Sequence, residues 1–112
     1  MADIWSEKLP CNNGRDVECN VLEVKVRYDI GGYSWATGNT KKRGYYLSVS
    51  PLMETEHTVI YQGFSGVSYF LNEVKRQSKK GEAEAIKKAQ EVKAEVIKYV
   101  CDEHDITLKD AA

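Results

Sequence analysis

The sequence predicts an α+β domain of order β-β-β-α-α, a three-stranded antiparallel β-meander packed on two C-terminal helices in two layers. Three observations carry this reading. Residues 20–29 and 43–50 alternate apolar and polar side chains with period two. Residues 57–62 are rich in β-branched and aromatic types. Residues 66–77 and 82–103 repeat apolar residues at helical spacing. A chain of 112 residues suffices for one modest core. We divide it into an N-terminal arm, 1–19, and a single α+β domain, 20–112.

In the arm, Pro10, Asn12-Asn13 and Gly14 mark turns, and Ile4, Trp5 and Leu9 are candidates to anchor it on the domain, with a short helical turn over 3–9. The first strong element follows. Leu22, Val24, Val26 and Tyr28 alternate with Glu23, Lys25, Arg27 and Asp29, so a one-residue slip in register would bury four charges. In the second strand Tyr45, Leu47 and Val49 oppose Tyr46, Ser48 and Ser50, and Pro51 predicts the exit. His57–Gln62 is the third strand. Gly63 breaks it, and Ser65 is the expected N-cap of a helix with Val67, Phe70, Leu71 and Val74 at i, i+3, i+4 and i+7.

Gly81 interrupts that pattern before the second helix. Ala85, Ala89, Val92, Val96, Tyr99 and Val100 form its buried stripe, and Glu84–Lys88 makes an exposed i,i+4 pair. Residues 104–108 read as a short return segment. The outer sheet face, with Glu23, Lys25, Arg27, Tyr46, Ser48 and Thr58, is expected to meet solvent or a partner.

Between the first two strands lies a long Gly-rich connection, 30–44, carrying Tyr33, Trp35 and the basic run Lys41, Lys42 and Arg43. Aromatic and Arg side chains dominate interface energetics, and long ordered loops are often functional. A second basic cluster, Lys75, Arg76, Lys79 and Lys80, precedes the last helix. Residues 21–81 carry nine Lys/Arg against five Asp/Glu, and residues 82–112 five against eight, although the net charge is only −1. A local anion site is therefore permitted.

Enzymatic motifs are missing: there is no Gly-x-Ser-x-Gly, P-loop or dinucleotide fingerprint. Gly31-Gly32 leads into a strand, so no helix N-terminus follows to take a phosphate. His57 and His104 lie on different elements. The sequence thus predicts no catalysis and no cofactor. Cys101-x-x-His104 with Cys11 and Cys19 has the residue types of a zinc set, but the Cys11–Cys19 spacing is too wide for a knuckle, so ordinary thiols and no metal are expected. No apolar run is long enough to span a bilayer, and the N-terminus lacks signal-peptide order. A cytoplasmic protein with no membrane association is the expectation.

Ser78-Lys79-Lys80 ahead of an Ala-rich helix resembles the phosphate-gripping segment of double-stranded-RNA-binding domains, but Glu82 and Ala83 depart from that motif. More broadly, the run Val24–Tyr33, then Lys42–Pro51, Phe64-Ser-Gly66 and Glu73–Lys80, resembles small uncharacterised accessory proteins of conjugative and mobile elements in Firmicutes bacteria. That resemblance implies a bacterial mobile-element context and transfers no activity. The reading is a non-catalytic binding module using the 30–44 loop and the outer sheet face, with an unknown protein as partner. The alternative is nucleic-acid binding by the clusters at 41–43 and 75–80.

Overall fold

A computed structural model of the chain describes residues 4–61 and 66–109. Among these run strands β1 (Trp5–Pro10), β2 (Val21–Asp29), β3 (Gly32–Ser34), β4 (Asn39–Lys41), β5 (Gly44–Glu54), β6 (Val59–Tyr61) and β7 (Val67–Glu73), followed by helix α1 (Lys79–His104). The fold is α+β. β1, β2 and β5 are neighbours in that order. β6 and β7 both pair with the far edge of β5, and every pairing is antiparallel. β3 and β4 form a separate two-stranded hairpin.

The alternation in β2 and β5 behaves as its period requires. Leu22, Val24 and Val26 face the same side as Tyr45, Leu47 and Val49, all six at 0% exposure, and α1 covers them with Ala85, Ala89, Val96 and Val100. Each buried Val or Leu contributes about 1.5–3 kcal/mol. Tyr28 and Tyr45 meet edge to face, ring centroids 5.3 Å apart.

The residues read as a first helix are a strand. β7 pairs with Gly44–Val49, and its register shifts at the Tyr45–Tyr46 step, where Leu71 is the extra residue of a β-bulge. Val67 and Leu71 share the core face by plain alternation, the bulge brings Val74 to that side, and Phe70 is an apolar residue of the outer face, so the four acquire helical spacing without being helical. Leu71 is buried in the core, and Phe70 packs on Tyr46 across the outer face, centroids 5.1 Å apart. The Ser65 cap expected for that helix lies outside the described residues.

Two further expectations change. Residues 5–10 are an edge strand rather than a helical turn, with Trp5, Glu7 and Leu9 paired to Val26, Val24 and Leu22. Pro51 does not end its strand, because β5 runs on to Glu54. The Leu52 carbonyl accepts from Asn20 N (3.0 Å) on the β2 side, so alternation turns the missing Pro51 N–H toward the other edge. There Ser50 and Pro51 fall between the stretches paired with β7 and β6, and no ladder bond among the described residues is lost.

α1 begins where Ser78 caps it, its hydroxyl accepting from Gly81 N at 2.9 Å. Gly81 sits inside the first turn because the helix lies close on the sheet there: a Cβ would fall 3.1 Å from the Tyr45 ring. The buried stripe is Gly81, Ala85, Ala89, Val96 and Val100. Tyr99, expected on that stripe, is instead 57% exposed. Lys88 reaches the bulge, donating to the Leu71 carbonyl at 2.7 Å, rather than pairing with Glu84. After the αL cap at Asp105, the return segment is present: Ile106 is buried and Leu108 bridges Cys11.

Candidate binding surface

The long connection after β2 is an ordered hairpin, and Asp29 holds its base. The carboxylate accepts from Gly31 N and from Lys41 Nζ, both at 2.7 Å, and Arg27 stands 3.8 Å away. These hydrogen bonds and charges, with Lys41 foremost, keep the Asp29 carboxyl below its ordinary range despite some burial. The turn onto β3 needs Gly31, whose φ is +71° and whose Cβ would lie 2.5 Å from the Lys41 carbonyl oxygen. At the tip, Gly38 N closes the turn on the Ser34 carbonyl (2.8 Å).

The basic run fixes this hairpin to the sheet. Lys41 Nζ lies 4.6 Å from the Tyr46 ring centroid, and Lys42 Nζ lies 5.4 Å from that of Phe70. Tyr46 OH donates to the Lys42 carbonyl at 2.7 Å. Arg43 Nε donates to the Ile30 carbonyl (2.9 Å) and Nη1 to that of Lys75 (3.5 Å). Lys41 and Arg43 are thus engaged within the fold.

The aromatics of the hairpin are turned outward. Trp35 is 91% exposed, Tyr33 56% and Ile30 61%. Tyr33 and Trp35 pack edge to face, centroids 5.1 Å apart and planes at 89°. Neither ring caps the core. Tyr46 does the opposite: it is buried, its phenol is pushed up by desolvation and then by the charges of Asp29 and Glu73, and it offers no open stacking face.

The outer sheet face is also less open than expected. Glu23 and Ser48 are buried, and Lys25 and Arg27 half-buried, while Thr58 is exposed. Among the described residues, two of its polar atoms, Glu23 Oε1 and Arg27 Nε, are enclosed without a hydrogen-bond partner. Lys25 Nζ stands 3.3 Å from that Glu23 oxygen.

Lys75, Arg76, Lys79 and Lys80 are all exposed, in the β7–α1 connection and the first turn of the helix. The fold brings this cluster to the hairpin base, where Val74 N donates to the Arg43 carbonyl at 3.2 Å. Residues 27–46 and 72–82 together hold eight Lys/Arg against three Asp/Glu, so one end of a nearly neutral chain is strongly basic. Cations in the first turn oppose the helix dipole and add to that potential.

Sequence reasoning missed Asp29 and Phe70. Asp29 had a signal, as an Asx residue two positions before a glycine. Phe70 had none while its segment read as helix.

Elsewhere, a groove of about 700 Å³ runs between β1 and the C-terminal half of α1, lined by Leu9, Ile97, Cys101 and Leu108 among others. Its charges are paired, Glu7 with Lys93 (3.0 Å) and Lys98 with Asp102 (2.7 Å). Burial pushes the Cys101 thiol up, which makes it a poor nucleophile at neutral pH. His104 faces Asp16, Nδ1 to Oδ1 2.9 Å, not Cys101. Among the described residues no group of three or more His, Cys, Asp or Glu could hold a metal ion, and no helix is long and apolar enough to cross a membrane. Comparison with protein-family models, curated proteins and solved structures returned no match to this chain. Function is therefore read from the surface itself.

Proposed function

We propose that the protein is a non-catalytic recognition module, an accessory protein of a bacterial mobile element, whose β3–β4 hairpin engages a partner protein. The observation that carries this is the 91% exposure of Trp35 on a hairpin tied down at its base by Asp29, Lys41 and Arg43. An exposed Trp–Tyr pair on a pre-ordered support has the chemistry of an interface anchor, because little conformational entropy remains to be lost on binding. The cations of the loop support the same reading. Two of the three are bound to carbonyls or a carboxylate of the chain and stand ready to orient the hairpin rather than to grip phosphate.

The test is capture of partners from the native host after nuclease treatment, using wild-type chain beside a Tyr33→Ala/Trp35→Ala variant of unchanged circular dichroism. One polypeptide retained by the wild type and lost by the variant supports the reading. Identical profiles from both would contradict it.

A second reading has its own observation, the joining of Arg43 to the Lys75–Lys80 cluster at one basic end. That end suits a nucleic-acid backbone, with Trp35 as a stacking ring. It requires binding of labelled single-stranded DNA or RNA that weakens steeply with salt and is lost on replacing Lys75, Arg76, Lys79 and Lys80 by Glu. No anisotropy change at about 50 mM salt would end it.

A further inference from the structure

We propose that Cys11 and Cys19 are a redox pair, converted by a small-molecule disulfide into an intramolecular disulfide that closes the 11–19 connection into a ring. Their sulfurs lie 3.7 Å apart and both residues are buried, at 1% and 2% exposure. A disulfide requires that gap to close to about 2.05 Å. The backbone at both ends is held by hydrogen bonds. Cys11 N donates to the Asn20 carbonyl and Cys19 N to Asn13 Oδ1, each at 3.0 Å, so the cysteines face each other where β1 leaves the sheet and the chain returns toward β2.

The chemistry balances as thiol–disulfide exchange. One cysteine, as thiolate, attacks a sulfur of the small disulfide, forming a mixed disulfide and expelling one small thiolate. The second attacks the protein sulfur of that mixed disulfide, forming Cys11–Cys19 and releasing the other small thiolate. The two protein protons pass to the two leaving thiolates. The chain is oxidised by two electrons and the small disulfide is reduced to two thiols.

The pair is guarded. Desolvation first, then the neighbouring Cys19 sulfur, pushes the Cys11 thiol up to about 12, so the thiolate is scarce while the connection stays folded. Reaction waits on opening of the exposed stretch around Asn12, Asn13, Arg15 and Asp16. That stretch clasps the end of α1: Arg15 N donates to the His104 carbonyl at 2.6 Å, and Asp16 faces the His104 ring. A closed ring locks the clasp. Cys101, partly buried, is the third thiol close enough for its charge to be felt by Cys11.

The experiment equilibrates the full chain, wild type and Cys101→Ser, with mixtures of reduced and oxidised glutathione, quenches in acid, unfolds, and alkylates free thiols before mass spectrometry. The expected result is loss of both thiols of Cys101→Ser together, with a mass lower by two hydrogens. A single free thiol should remain in the wild type, at Cys101, and a peptide should join Cys11 to Cys19. The oxidised form should melt higher, by on the order of 5–15 °C. Two alkylatable thiols in Cys101→Ser at excess oxidant, separate glutathionylation of the two sites, or a wild-type link through Cys101 would each overturn the proposal. Mapping of the wild type decides alone should Cys101→Ser fold poorly.

Discussion

Asp29 and Lys41 stand 2.7 Å apart at the base of the β3–β4 hairpin, joining the last residue of β2 to the last residue of β4. The same carboxylate holds Gly31 N, so one side chain sets both the turn into the hairpin and its return. The direction in which Trp35 is presented depends on that pair.

Acid should loosen the hairpin before it unfolds the domain. The folded Asp29 pKa is lowered, so its stabilisation is fully present above the unfolded value of about 3.9 and is lost as pH falls through the folded value. Asp29→Asn should cost about 1 kcal/mol at pH 6, with the gap to wild type narrowing as the solution approaches pH 3. Urea unfolding across that range measures the gap, and exchange of the Gly31 amide reports the local opening. A gap that does not change with pH would break the assignment.

The helix start offers a sharper steric test. Ser78→Ala removes the cap and should lower stability by about 1 kcal/mol. Gly81→Leu drives a side chain into Tyr45, which is fully buried and hydrogen-bonded to Ser78 through its hydroxyl, and should cost about 2 kcal/mol or more. Thermal unfolding of the two variants is sufficient to rank them.

The bulge in β7 makes its own demand. Lys88→Met keeps the stem of the side chain but removes the donor to the Leu71 carbonyl, a loss of about 1 kcal/mol, whereas Glu84→Gln should be neutral to within about 0.5 kcal/mol. Equal effects from the two would mean that Lys88 serves Glu84 after all.

The period-two pattern of residues 22–28 was enough to place β2 and its buried face, because the opposite facing would turn Glu23, Lys25 and Arg27 toward the core, whereas the pairing of Val24 with Val49 is set by β5. The long helix was equally plain in its Ala and Val stripe. β7 was not, since apolar Phe70 on the outer face and a bulge at Leu71 together give apparent helical spacing, and local period cannot register a bulge set by a partner strand. β1 was hidden for a related reason: Trp5–Pro10 is an edge strand that gains its shape by pairing with β2. In the candidate surface, the exposed aromatics and the cations were visible as residue types. That Lys41 and Arg43 fold back while Trp35 projects is settled by Asp29, Ile30 and Lys75, contacts that no spacing rule contains.

On the proposed reading, Trp35 anchors a partner protein from a hairpin already in place. The most direct measurement is calorimetric titration of the captured partner with wild-type chain and with Trp35→Ala at equal folded concentration. A central aromatic anchor predicts a loss of about 2 kcal/mol, roughly 30-fold in Kd, with the melting temperature unchanged because the ring is exposed. A Kd for Trp35→Ala within about twofold of wild type would contradict the claim.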